Sequence, residues 1–178
     1  EGNTIYNNNM RQCIDCDQIS YLSNDYPKIK NNYKQIFSPA TAYQMTSILE
    51  GVVQRGTGKK LRDLKLNIAG KTGTTNKNTD TWFVGFTSNL LVGVYVGADN
   101  PVPLGKYETG SKTALPIFKN FIKEAVKKSD ARPFKAAKET IMMVVDPNTG
   151  QKANFTSKNT IIEVFKKKNL FNGKILFS

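Results

Sequence analysis

The chain has 178 residues, 39% of them apolar, which is about one domain and enough for a single modest core. Lys and Arg number 26 against 14 Asp and Glu, giving +12, and the absence of histidine removes Ser-His-Asp, Cys-His and histidine-metal chemistry together. The basic residues are scattered, with a run only at Lys166-Lys167-Lys168, and are not interleaved with aromatics on one element, so no nucleic-acid partner is expected.

Residues 1 to 37 are polar and turn-rich, with a strand expected at Thr4-Ile5-Tyr6. The opening has neither a basic n-region nor an apolar h-region. Cys13 and Cys16 form a C-x2-C pair in what reads as a polar loop. A zinc site needs about four ligands, so no metal is expected, and a local disulfide or two ordinary thiols remain as readings. A helix follows: Ser38 suits the N-cap and Pro39 the first helical position, and Ala42, Met45, Leu49 and Val52 recur on one face. Gly56 and Gly58 end it and open a basic loop.

Three antiparallel strands are expected next, at Leu66–Gly73, Thr81–Phe86 and Leu90–Gly97, with a turn over Thr74–Asp80. In the third, Val92, Val94 and Val96 share a face, and the glycines opposite predict close approach by a helix. The longest apolar stretch, Leu90 to Ala98, is too short to span a bilayer, so any membrane anchor is expected outside these residues. A Pro- and Gly-containing loop leads to a second helix carrying Ala114, Ile117, Phe118, Phe121, Ile122 and Ala125 on one stripe. Beyond Ser129 the composition shifts, and a strand at Ile141–Val145 is expected to pair with Ile161–Phe165. The division this predicts is residues 1–128 and a β-rich extension, residues 129–178.

The most informative segment is Ala69-Gly70-Lys71-Thr72-Gly73-Thr74-Thr75-Asn76. A phosphate-binding P-loop would need glycine five residues before its terminal glycine, where Lys65 stands, and a helix after the lysine. Lys-Thr-Gly on a strand is instead the third motif of serine acyl-transferases acting on D-alanyl peptides and β-lactams. A lysine ammonium on a margin strand supplies fixed charge for a carboxylate. Thr72 and Thr74, two apart, face the same way and can hydrogen-bond it. Gly73 between them leaves room for a peptide to lie along the strand.

The surrounding residues make the triplet specific. Ser38 through Met45, the Gln54-Arg55-Gly56-Thr57-Gly58 loop, Asp80 through Phe86, Val96 through Pro101 and Glu108-Thr109-Gly110 together resemble bifunctional class A penicillin-binding proteins over about residues 1 to 128. The resemblance implies an α+β penicilloyl-serine transferase fold, an antiparallel sheet flanked by helices, from the C-terminal part of a transpeptidase domain. It implies acyl transfer on D-Ala-D-Ala stem peptides of peptidoglycan, inhibition by β-lactams, no cofactor, and a place at the periplasmic face of the bacterial inner membrane. By position, Lys71 and Thr74 would be catalytic, with Thr72, Gly73, Thr74 and Thr75 binding substrate and the Thr74 N–H helping to hold the oxyanion. Asp80 and Trp82 would be structural. A β-lactamase or DD-carboxypeptidase also carries the triplet but is not expected to share the Gln54–Gly58 loop or the tail. The alternative of another class is a non-catalytic wall-binding or interaction domain on the same fold.

One departure matters. No serine here is followed three residues on by lysine, and the single S-x-N match, Ser157-Lys158-Asn159, lies after the K-T-G strand. These residues alone are therefore expected to be inactive, with the rest of the domain supplied by upstream sequence. The strand margin left open invites self-association.

Overall fold

The computed structural model describes residues 11–14, 28–31, 35–127, 132–171 and 174–175. The chain divides into two compact units, Glu1–Ser38 and Pro39–Ser178. In the first, β1 (Arg11–Ile14) pairs antiparallel with β2 (Lys28–Asn31). Cys13 thus stands on a strand opposite Ile29, not in a loop. The strand expected at Thr4–Tyr6 and the pairing of Cys16 lie outside the described residues.

The second unit begins with α1 (Pro39–Gln54), whose first residue is the expected proline. Its packing differs from the periodicity. Ala40, Gly51 and Val53 are buried, whereas Ala42 is exposed and Met45 and Ile48 are about half exposed. The helix lies against β3 and β7 and places Val53 in the core with Leu61 and Ile68, so the buried positions are not those of the expected stripe. After Gly58 the chain forms a 3₁₀ helix, Lys59–Leu64, where a loop was expected. Two apolar residues anchor it: Leu61 is fully buried among Val53, Ile68, Leu115 and Phe118, with its N–H donating to the Gly58 carbonyl at 2.9 Å, and Leu64 packs partly buried against the same core.

The central sheet has the order β3-β4-β5, all antiparallel: β3 (Ala69–Thr74), β4 (Asp80–Phe86) and β5 (Leu91–Gly97). Strand β3 starts three residues later than expected, because the 3₁₀ helix and its left-handed cap at Lys65 use up the preceding chain. Alternation sorts the residues cleanly. Thr81, Phe83 and Gly85 point inward and are joined by Val92, Val94 and Val96, while Trp82, Val84, Leu91 and Tyr95 point outward and are exposed.

Helix α2 (Ala114–Ala125) covers the inward face. Its buried residues are Ala114, Leu115, Phe118 and Ile122, and the expected Ile117 and Phe121 are half exposed on its flank. Close approach by a helix does occur at a glycine, but on β4 rather than β5. A Cβ at Gly85 would stand 2.7 Å from both Phe118 Cζ and Phe83 Cε1, whereas one at Gly93 would meet only Val84 Cγ2, at 3.9 Å. The rings of Phe83 and Phe118 pack 4.7 Å apart at 58°. The tail hairpin of β6 (Thr140–Val145) and β7 (Ile161–Lys166) forms as expected, and β7 docks on α1, tied by Arg55–Glu163 at 2.6 Å and Gln44 Nε2 to the Val164 carbonyl at 3.0 Å. A two-residue pair, β8 (Leu170–Phe171) with β9 (Lys174–Ile175), is the last element among the described residues. No helix among the described residues is long and apolar enough to cross a membrane.

Candidate active site

Strand β3 is a margin strand. It pairs with β4 on one side, and among the described residues no strand pairs with the other. Which backbone groups face outward follows from the register. The Thr75 N–H donates to the Asp80 carbonyl at 3.0 Å, so Thr75 and Asp80 form a hydrogen-bonded pair. Bonded pairs alternate along an antiparallel ladder, which places Gly73 with Trp82 and Lys71 with Val84 in the bonded set. The N–H and C=O of Thr72 and Thr74 therefore point away from β4, along the free margin.

The side chains agree with this. Lys71 is exposed, and its Nζ donates to the Thr72 carbonyl at 2.8 Å and to Thr72 Oγ1 at 3.3 Å. The ammonium thus curls over the strand margin, although strict alternation would put it on the face opposite Thr72. Thr72 Oγ1 also shares a proton with Thr57 Oγ1 at 2.9 Å. Thr57 was missed as a site residue. Its signal is the pair of glycines around it, since a Cβ at Gly58 would meet Val52 O and Val53 Cα at 3.2 Å, and only a close loop return can carry Thr57 to β3.

Thr74 is held from the other side. The Gly110 N–H donates to Thr74 Oγ1 at 3.1 Å, and the Gly110 carbonyl accepts from the Leu115 N–H at 2.8 Å. A Cβ at Gly110 would stand 2.5 Å from the Trp82 carbonyl oxygen and 2.6 Å from that of Gly73, so only glycine fits between α2's entry and the strand pair. Beside it, Thr81 Oγ1 and Thr113 Oγ1 are 2.6 Å apart, and Thr113 Oγ1 donates to the Thr109 carbonyl at 3.0 Å.

Lys71, Thr72 and Thr57 are thus directly joined, with Gly73 and Thr74 continuing the same margin. Thr75 is placed differently. Its hydroxyl is committed to the β3–β4 turn, accepting from the Asp80 N–H at 2.9 Å and bonding Thr79 Oγ1 at 2.9 Å. Asp80 anchors that turn as well: the Tyr95 hydroxyl donates to Oδ1 at 2.7 Å and Thr79 Oγ1 donates to Oδ2 at 2.9 Å. These bonds, Tyr95 first, hold the Asp80 carboxyl below its ordinary range, and the same contact pushes the Tyr95 phenol up. The Tyr95 ring packs 4.8 Å from Trp82. Among the described residues no cluster of acidic and thiol groups could hold a metal.

An antiparallel sheet flanked by helices, with a Lys-Thr-Gly strand on its margin, defines the transpeptidase-like class. The comparisons reach the same class independently. Residues 4–123 match the family described as "Penicillin binding protein transpeptidase domain". The chain is 42% identical over 171 residues to Penicillin-binding protein 1A of Rickettsia conorii, covering 95% of this chain and 21% of that protein. It is 38% identical over 134 residues to Penicillin-binding protein 1A of Pseudomonas aeruginosa, covering 75% of this chain and 16% of that one. The crystal structure of Penicillin-Binding Protein 1A from Haemophilus influenzae superposes with a TM-score of 0.66 at 27% identity, over 80% of this chain and 22% of that one. This chain belongs to the penicillin-binding protein transpeptidase family, and it matches a piece of a class A member. It spans about a fifth of the length of the curated relatives it matches.

Proposed function

We propose that these residues supply the carboxylate-binding and oxyanion strand of a serine DD-transpeptidase that cross-links peptidoglycan. The observation that carries the reading is the outward set on β3: the Thr72 and Thr74 backbone groups, with the Lys71 ammonium 2.8 Å from the Thr72 carbonyl, along a margin free of any strand among the described residues. A stem peptide ending in D-Ala-D-Ala can lie along such a margin as an added strand. Its terminal carboxylate would be held by the Lys71 charge and the hydroxyls of Thr72 and Thr74. The Thr74 N–H would stabilise the oxyanion formed when a serine hydroxyl attacks the penultimate carbonyl. The carbon–nitrogen bond then breaks, terminal D-Ala leaves with the proton, and an amine of a second stem takes the acyl group from the serine. Thr75 and Asp80 position the turn rather than touch substrate.

The serine must come from an S-x-x-K segment, which these residues lack, so acylation needs sequence beyond them. Location at the periplasmic face of the inner membrane and sensitivity to β-lactams belong to the same proposal. Fluorescent penicillin followed by a denaturing gel tests it in two arms. The 178-residue chain alone should stay unlabelled. The protein that joins it to an S-x-x-K segment should label, and Lys71→Ala there should slow labelling by about ten- to a hundredfold, the size of one lost charge-assisted contact. Labelling of the isolated chain, or a Lys71→Ala protein that labels at the parent rate, refutes the proposal.

A further inference from the structure

A second site stands apart from the K-T-G margin and does not depend on the reading just given. The 3₁₀ helix Lys59–Leu64 and helix α2 together border a shallow, solvent-open cleft lined by Lys59, Lys60, Arg62, Asp63 and Lys119. Four cations and one carboxylate share this space. The carboxylate is already engaged, since Asp63 Oδ2 pairs with Lys119 Nζ at 2.5 Å. Among the described residues no carboxylate pairs with Lys59, Lys60 or Arg62.

Flexible lysines on a mobile loop would simply spread apart. Here their backbone cannot, because fully buried Leu61 fixes the helix in the core and the Lys65 cap N–H closes its end on the Arg62 carbonyl at 3.2 Å. Lys119 arrives from a different element whose neighbour Phe118 is also fully buried. The backbones that carry these like charges are thus anchored side by side by packing that the charges do not themselves provide, which keeps the positive charge concentrated for an anion.

We propose that this cleft binds a multivalent phosphate group, either free or as the headgroup of an anionic lipid. Ammonium and guanidinium groups carried by two neighbouring elements suit several phosphate oxygens at once, and Arg62 can bind bidentately. A chain carrying +12 binds any polyanion to some degree, so the test must separate this cleft from bulk charge.

Inorganic pyrophosphate is titrated into the 178-residue chain by calorimetry, and in parallel the chain is sedimented with phosphatidylglycerol or phosphatidylcholine vesicles. Saturable binding of pyrophosphate, of phosphatidylglycerol vesicles, or of both is expected, and the arm that saturates identifies the source. Lys60→Gln with Arg62→Gln should weaken it about tenfold or more, whereas Lys152→Gln with Lys158→Gln, an equal loss of charge at exposed tail positions, should change it by less than about twofold. Asp63→Asn, which removes the opposing charge and frees Lys119, should tighten binding. Equal losses in the two double variants, weaker binding in Asp63→Asn, or no saturable binding in either arm overturns the proposal.

Discussion

Replacing Gly110 by alanine tests how the fold and the site are joined. The added Cβ would stand 2.5 Å from the Trp82 carbonyl oxygen and 2.6 Å from the Gly73 carbonyl oxygen, where ordinary contact begins near 3.4 Å. Both obstacles are backbone atoms of the β3–β4 ladder, so neither can swing aside as a side chain would. The start of α2 must retreat, which lengthens the 3.1 Å bond from the Gly110 N–H to Thr74 Oγ1. Overpacking of this kind costs about 1–3 kcal/mol and a lost hydrogen bond about 0.5–1.5, offset slightly by the lower unfolded-state entropy of alanine. The expected loss is therefore about 2–3 kcal/mol, a fall in melting temperature of about 4–12 °C for a chain of this size. Gly93→Ala is the control, because its Cβ meets only Val84 Cγ2 at 3.9 Å and stability should stay within about 0.5 kcal/mol. Urea denaturation of both variants decides the matter. A Gly110→Ala protein as stable as the parent, or a Gly93→Ala protein equally weakened, would refute the packing argument.

Other outcomes follow from the same contacts. Gly85→Ala should lose about 1–3 kcal/mol in urea denaturation, since its Cβ would stand 2.7 Å from the buried rings of Phe83 and Phe118. Tyr95→Phe should let the Asp80 carboxyl rise toward its ordinary 3.8, as read by NMR titration; an unchanged midpoint would mean that the Tyr95 hydroxyl is not its main cause. Because the Asp80 midpoint is lowered on folding, its stabilising effect is present above the ordinary carboxylate value and fades as pH falls through the lowered one, so Tyr95→Phe should flatten the acid limb of the stability profile. Thr57→Val should leave stability within about 0.5 kcal/mol, as expected for an exposed change, yet slow penicillin labelling of the S-x-x-K-bearing protein by weakening the hold on Thr72.

The central strands were readable because β-branched and aromatic runs stand between turn residues, and in β5 Val92, Val94 and Val96 alternate with the other face. The faces of β4 were not, since Trp82-Phe83-Val84 is an unbroken apolar run in which only Phe83 is buried. A short element was not readable. The 3₁₀ helix rests on fully buried Leu61 and partly buried Leu64, and two apolar residues among charges are too few to display a period. On α1 the apolar stripe misled, since the buried positions are Ala40, Gly51 and Val53, and the ties to β7 come from Gln44 and from Arg55 just past the helix, polar contacts that a hydrophobic count ignores. Of the proposed site, Lys71, Thr72, Gly73 and Thr74 were named from the K-T-G motif and the resemblance around it. Thr57 and Gly110 were quoted in the resemblance but given no role, because what they touch lies 15 and 36 residues away in sequence.

Under the proposed function, those two partners would also account for how the Thr72 and Thr74 hydroxyls receive an anion. A threonine oxygen has one proton to donate and two lone pairs to accept with. At Thr74 the Gly110 N–H occupies a lone pair from the interior, which leaves the proton for a ligand on the open side. At Thr72 the Lys71 ammonium donates into one lone pair, and when Thr57 donates into the other, the Thr72 proton too can only go outward. Donors placed behind the strand thereby set the direction of donors in front of it, and a carboxylate is favoured over a neutral amide that would bring a proton of its own. On this account the selectivity of the margin lies as much in the loops at Thr57 and Gly110 as in the K-T-G residues themselves.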